Sequence, residues 1–396
     1  MPAAKIPLLN VEIDNISSKQ LLAQLKSGGF VITPNVDHLV KLQNDPEFFY
    51  IYQHADYVVC DSQILIWVAR FLGTPIQEKI SGSDLFPAFC QYYAEDETEK
   101  VFLLGAAPGV ARQAQLNINA KAGRELVVDT YSPPFGFERD PQECEKIITL
   151  INQSDANVLA VGLGAPKQEK WIYRYRQQLP GIKTFLAIGA TIDFEAGNVR
   201  RSPQWMSYCG LEWLYRLKEN PKRLWRRYLV ESLPFLGWVV LQRFNRYRYH
   251  KPLALILHDA GLLSKDQVEQ LLTEQVRLTK ENAGKPPDEA TLLNQYQWLK
   301  PETIRFFATE FEQLLKQSAH PPILDLLQQA QLLTLDQCQT LQHESQLAAL
   351  PPEQLAIQKE WFSPQTVRFF QQLQALVENP QDQRLEQLFF VSPTPL

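Results

Sequence analysis

The chain of 396 residues lacks several features that would fix its class at once. It has no apolar run of the roughly 20 residues needed to cross a bilayer. The longest such run, LPFLGWVVL at 233–241, is short and is interrupted by Pro234 and Gly237. The opening stretch, MPAAKIPLLNVEIDN, holds nothing like the apolar core of a signal peptide, so a cytoplasmic protein is expected. Cysteine is scarce and scattered: Cys60, Cys90, Cys144, Cys209 and Cys338 form no C-x-x-C pair. An odd, dispersed set fits a reducing compartment and excludes a disulfide framework or a zinc ribbon. The six histidines stand apart from one another, and no His/Asp/Glu cluster has ligand spacing, so no metal is expected. Neither Walker A nor the dinucleotide fingerprint G-x-G-x-x-G occurs, which counts against a nicotinamide-dependent oxidoreductase.

What is present has a clear order. Up to about residue 200, short β-rich runs alternate with helical patterns. The candidate strands are Phe30–Thr33, Tyr57–Cys60, Val101–Leu104, Leu126–Asp129, Val158–Val161 and Phe185–Ile188. Such alternation predicts a doubly wound, mostly parallel α/β sheet with helices on both faces. Residues 200–251 then carry twelve Lys and Arg against three Glu, in a chain whose net charge is −5. Trp205, Trp213, Trp225 and Trp238 lie in the same window. A basic, Trp-rich helical appendage in an acidic protein predicts contact with anionic lipid or phosphate; a solvated, salt-bridged helix face is the plainer alternative.

From residue 252 the composition turns to Gln- and Leu-rich helix. AGLLSKDQVEQLL (260–272) with WLKPETIRFFATEF (298–311) resembles AQLLTLDQCQTLQ (330–342) with WFSPQTVRFFQQL (361–373). This predicts an all-α domain of two related repeats, with Ser264 and Thr334 as helix N-caps and Pro301 and Pro364 in first helical turns. No chemically reactive residues recur, so an interaction module for a protein partner or a small ligand is expected. The predicted domains are 1–204, 205–251 and 252–396.

The chemistry gathers where strands are predicted to end, the place where open α/β sheets bind ligands. TPNVDH supplies Thr33 and Asn35, which suit hydrogen bonding to a sugar or a base. Asp61 ends the second run and could be a general base, though a lone Asp at this place reads more readily as a helix cap. GAAPG (105–109), beginning at Gly105, precedes a helix whose N–H groups suit a phosphate. GLGAPKQE (162–169) offers Gly164, Gln168 and Glu169; ATIDFEAGNVRR offers Asp193 and Glu195, then the pair Arg200 and Arg201.

Together TPNVDHLV, the Asp61 loop, SGSDL (81–85), VGLGAPKQEKW and IDFEAGNVRRSPQWMSYCGLEWLYRLKENPKRLWRRY resemble the WecG/TagA/CpsF glycosyltransferases over roughly residues 8–245. That resemblance implies an inverting, metal-free transfer of a sugar, often N-acetylmannosamine or its uronic acid, from a UDP-sugar. The implied acceptor is a sugar on a polyprenyl diphosphate at the cytoplasmic membrane face. It gives Asp61 the role of base, and places Thr33 and Asn35 in the pocket and Gln168 near the reacting centre. Arg216, Arg223 and Arg226 would reach over the pocket toward the diphosphate. Two positions depart from the family pattern: Ser62 stands where Gly is usual, and Lys79 lies near the usual place of an Arg, keeping charge but losing a bidentate fork. A nucleotide-sugar-binding regulator with weakened catalysis is therefore the second reading. The expected site comprises Asp61 and Gln168 as catalytic groups. Thr33, Asn35, Lys79, Asp84, Gly105, Gly164, Glu169, Asp193, Arg216, Arg223 and Arg226 are the expected substrate contacts, with no cofactor.

Overall fold

The computed structural model describes residues 4–219, 221–282, 286–314 and 322–378. The chain divides into two compact units, 1–247 and 248–395.

The first unit is built on eight strands: β1 (Ala4–Leu8), β2 (Val11–Asn15), β3 (Gly29–Ile32), β4 (Tyr57–Val58), β5 (Val101–Gly105), β6 (Val127–Tyr131), β7 (Val158–Gly162) and β8 (Thr184–Ala187). β1 and β2 form an antiparallel hairpin, with Leu8 opposite Val11. The other six make one sheet in the order β4-β3-β8-β7-β5-β6, and every pairing is parallel. All six predicted strands are therefore present, with ends shifted by a residue or two. The hairpin is an addition. It is tied to the edge of the sheet through Asp14, whose Oδ2 accepts the Val58 N–H at 2.7 Å.

The central strands are apolar along their whole length because both faces are covered. Val101–Leu104, Val158–Val161 and Leu186 have no appreciable exposure. Helices Val110–Ala122 and Gly82–Tyr92 bury Ala111, Ala114, Leu85, Phe86 and Phe89 in the same core as Val31 and Leu103. The chain runs outward through β3 and β4 at one side, then through β5 and β6 at the other. β7 and β8 fill the gap between, so the carboxyl ends of β3, β8 and β7 lie together at the reversal of strand order.

Two glycines let those ends close up. A Cβ on Gly162 would sit 2.7 Å from the Gly189 carbonyl oxygen, so any side chain there would push apart the loops after β7 and β8. Gly105 has φ +130° and packs against the Gly162 carbonyl, a backbone geometry and spacing that only glycine meets without strain.

After β8 come helices Gln204–Tyr208, Glu212–Glu219 and Pro221–Arg226, one π-helical turn at Arg227–Glu231, and helix Leu233–Arg243. The last packs against the core: Gln242 accepts the Leu9 N–H at 2.9 Å and donates to the Pro7 carbonyl at 3.1 Å.

The second unit is all helix among its described residues. Ser264 and Thr334 cap Lys265–Glu281 and Leu335–Ala348 through capping boxes with Gln267 and Gln337. Pro301 and Pro364 open helices, as their position predicts. Its core includes Phe306, Phe307, Phe369 and Phe370, with the Phe311 and Phe369 rings stacked at 5.9 Å.

Candidate active site

Three cavities meet at the carboxyl edge of the sheet. The central one, about 290 Å³, is bordered by Thr33, Asn35, Asp61, Gly164, Gln168, Asp193 and Arg216. A polar one of about 1000 Å³ is bordered by Arg70, Lys79, Asp84, Asp193, Arg200, Arg201 and Arg216. A third, about 290 Å³ and mainly apolar, runs from Asn35, Asp61 and Lys79 to Trp213, Tyr228, Leu233 and Leu236. Arg216 borders all three, and Asp61 borders the central and apolar ones.

Local structure explains these placements. Asn35 is the N-cap of helix Val36–Lys41, its Oδ1 accepting the His38 N–H at 3.3 Å. Asp61 is held by its own N–H on the Pro34 carbonyl at 2.9 Å, between the end of β4 and helix Gln63–Leu72. Ser62, not Asp61, takes the cap position of that helix, and its side chain makes no capping bond. Arg216 arrives from helix Glu212–Glu219, where it pairs with Glu212 one turn earlier.

The electrostatics single out Asp61. Burial pushes its carboxyl up to about 8, and the negative charge of Glu212 adds to the rise; Arg216 and Lys79 pull the other way. Asp193 is also raised by burial, against its own backbone N–H. Asp84 behaves oppositely: its partial burial is outweighed by hydrogen bonds from Ser81 and Arg201, which hold it below the usual carboxylate range. Lys79 donates to Ser207 Oγ at 2.8 Å and lies 3.9 Å from Asp84.

Other expected residues lie elsewhere. Gly105 borders none of the three cavities and is occupied by its packing on Gly162. Glu169 is fully buried behind Gln168 and borders none of them either. Glu195 turns away to pair with Lys121 at 2.7 Å. Arg226 points to solvent, 73% exposed, 3.3 Å from Glu231. The side chain of Arg223 falls outside the described residues.

His38, Glu212 and Ser207 also border these cavities, beyond the residues expected from the sequence. His38 borders the central cavity, with Nδ1 2.6 Å from the Tyr52 hydroxyl. Its signal was the position in TPNVDH, one turn beyond the cap. Glu212 and Ser207 sit among the basic groups; the spacing of Glu212 from Arg216, four residues on a helix, was the available sign. Among the described residues no group of three or more His, Cys, Asp or Glu is placed to hold a metal, and no helix is long and apolar enough to cross a membrane. All five cysteines are free.

A parallel sheet whose carboxyl edge gathers a buried carboxyl group and guanidinium groups is the place where open α/β folds bind anionic ligands. Residues 6–249 match the Glycosyl transferase WecG/TagA/CpsF family; the chain belongs to this family and is a glycosyltransferase. Two curated relatives share the name N-acetylglucosaminyldiphosphoundecaprenol N-acetyl-beta-D-mannosaminyltransferase. That of Bacillus spizizenii (strain W23) is 31% identical over 216 residues, 54% of this chain and 79% of the relative. That of Bacillus subtilis (strain 168) is 29% identical over 229 residues, 57% of this chain and 85% of the relative.

Proposed function

We propose that this enzyme transfers N-acetylmannosamine, or a closely related sugar, from its UDP-linked form to a sugar carried on a polyprenyl diphosphate, with inversion. The observation that carries this reading is the meeting of Asp61 and Arg216 on one cavity wall at the sheet's carboxyl edge. Ionised Asp61 takes the proton from the acceptor hydroxyl. The hydroxyl oxygen bonds to the anomeric carbon as the bond from that carbon to the diphosphate breaks, and UDP departs with the electron pair. Arg216 and Lys79, with Arg200 and Arg201 in the polar cavity, supply the positive charge that the departing diphosphate needs. Thr33, Asn35 and Gln168 hold the sugars. The names of the relatives support the choice of sugars and lipid carrier.

The apolar cavity opening beside Asp61 suits the lipid end of such an acceptor. Exposed Trp225, Leu233, Leu236 and Phe244, next to Arg243 and Arg246, suit the surface of an anionic bilayer on its cytoplasmic side. The enzyme is read as working there peripherally, without metal.

The test is transfer from UDP-N-acetylmannosamine to a synthetic N-acetylglucosaminyl diphosphate lipid, read by mass spectrometry, with EDTA present throughout. Product is expected, and Asp61→Asn is expected to cut turnover by about 10²–10⁴-fold while leaving the melting profile cooperative. Near wild-type turnover in that variant would reduce Asp61 to a structural residue. Dependence on added magnesium would remove the metal-free part of the reading.

A further inference from the structure

Gln168 and Glu169 are adjacent in sequence, and only the first reaches the cavity. The Gln168 side chain is 3% exposed and has a complete set of oriented partners on one side. Its Oε1 accepts the N–H of Gly164 at 3.3 Å and the N–H of Gly189 at 3.1 Å. Its Nε2 donates to Glu169 Oε1 at 2.8 Å. The two glycines belong to the loops after β7 and β8, so one amide oxygen clamps both loops. Glu169 is wholly buried and its second oxygen, Oε2, has no hydrogen-bond partner among the described residues. A carboxylate in that state is costly unless it does something for its neighbours.

Amide orientation is the thing it fixes. Turning the Gln168 amide over would set its NH₂ against two backbone N–H groups, losing both bonds to its oxygen, and would turn that oxygen toward the buried Glu169 carboxyl. We propose that Glu169 is a positioning residue: it locks the Gln168 amide so that its oxygen holds the loops after β7 and β8 together at the edge of the central cavity. Glu169 acts only through Gln168. This inference rests on the glycosyltransfer reading in so far as Gln168 touches the substrate during turnover.

A double-mutant cycle separates positioning from packing. Leu fills much the same space as Glu169 but accepts no hydrogen bond. Glu169→Leu is expected to lower kcat/KM roughly tenfold to a hundredfold, about as much as Gln168→Ala. Adding Glu169→Leu to Gln168→Ala should cost less than about twofold more. Glu169→Gln, which retains an acceptor of the same reach, should restore activity to within about fivefold of wild type. Additive losses, or no rescue by Gln, would overturn the proposal. A readout without turnover guards against failure of the reaction assay. In protein labelled with ¹⁵N-glutamine, the Gln168 side-chain amide signal, identified by its loss in Gln168→Ala, should move in Glu169→Leu. A signal that stays in place overturns the proposal whatever the substrate. Absence of any product from the wild-type enzyme, with the amide signal moving as expected, would instead count against the glycosyltransfer reading.

Discussion

Asp61 shows how one position sets both activity and stability. Its carboxyl is pushed up to about 8, by burial first and by Glu212 next. A base must be ionised to work, so kcat/KM should climb as pH rises toward about 8 and level off above it. The same shift acts on folding. Between its ordinary value of 3.8 and about 8, the unfolded chain has released this proton and the folded one still holds it. The folded state therefore binds more protons across that window, and stability falls as pH rises through it. Asp61→Asn removes this loss. Relative to wild type, its Tm should gain about 2–4 °C more at pH 8 than at pH 4, the effect of roughly 1 kcal/mol once solvent screening at the cavity wall is discounted. Calorimetry at the two pH values checks the sign. Equal gains would mean that Asp61 titrates near its ordinary value.

The limits of sequence reading are also residue-sized. Thr33, Asn35, Asp61 and Gln168 were legible because each follows a continuous apolar run within a few positions. Glu169 was not separable from Gln168, because adjacent residues on a helix point about 100° apart and no pattern said which faced the cavity. Gly105 looked like part of a phosphate loop, but its role depends on the Gly162 carbonyl, a neighbour in space and not in sequence.

At the scale of elements, the parallel strands announced themselves by apolar runs that stop at Gly, Pro or Asp. The β1–β2 hairpin did not. Its strands are five residues each, Pro7 lies within the first, and the turn uses Leu9 in a left-handed conformation in place of the usual Gly. Helix Gly82–Tyr92 was equally hidden, with Pro87 in its interior. The helices after β8 were legible as helices, but not which of their arginines face the cavities. Arg216 lies on the cavity side, paired with Glu212, while Arg226 lies in solvent. The two should therefore separate in kinetics. Arg216→Ala is expected to cost roughly 10²–10³ in turnover, as loss of a charge-stabilising donor does. Arg226→Ala should stay within about threefold of wild type, as an exposed ion pair on a helix end contributes little. Steady-state rates with the lipid acceptor decide it; equal losses would mean that the helix Pro221–Arg226 moves over the site when substrate binds.

At the scale of the whole molecule, the net charge of −5 conceals a basic, Trp-rich stretch, ten of whose twelve Lys and Arg lie in the first unit. Every residue bordering the three cavities also lies in that unit. The chain of 1–247 should therefore transfer sugar and bind anionic vesicles without the second unit. The membrane-facing role is best tested by substitution, because helix Leu233–Arg243 is fastened to the core by Gln242, and Tyr247 beyond it donates to Gln43 at 2.7 Å. Val240 and Phe244 are 48% and 68% exposed and border none of the three cavities, so replacing both with Ser removes apolar surface without opening the core or the site. Arg243→Glu and Arg246→Glu remove the adjacent positive charge, each basic group being worth about 1 kcal/mol near an anionic surface. The fourfold variant should keep its melting temperature and its turnover of a short-chain, water-soluble acceptor. It should lose sedimentation with phosphatidylglycerol vesicles at low salt, and with it turnover of a long-chain acceptor embedded in them. Wild-type 1–247 should sediment at low salt and be partly released at high salt, because screening weakens the charge term and leaves the apolar one. If the variant still sediments, the exposed helix Leu233–Arg243 is not the contact. If 1–247 fails to sediment while the full chain succeeds, the binding surface belongs to the helical unit beyond residue 247.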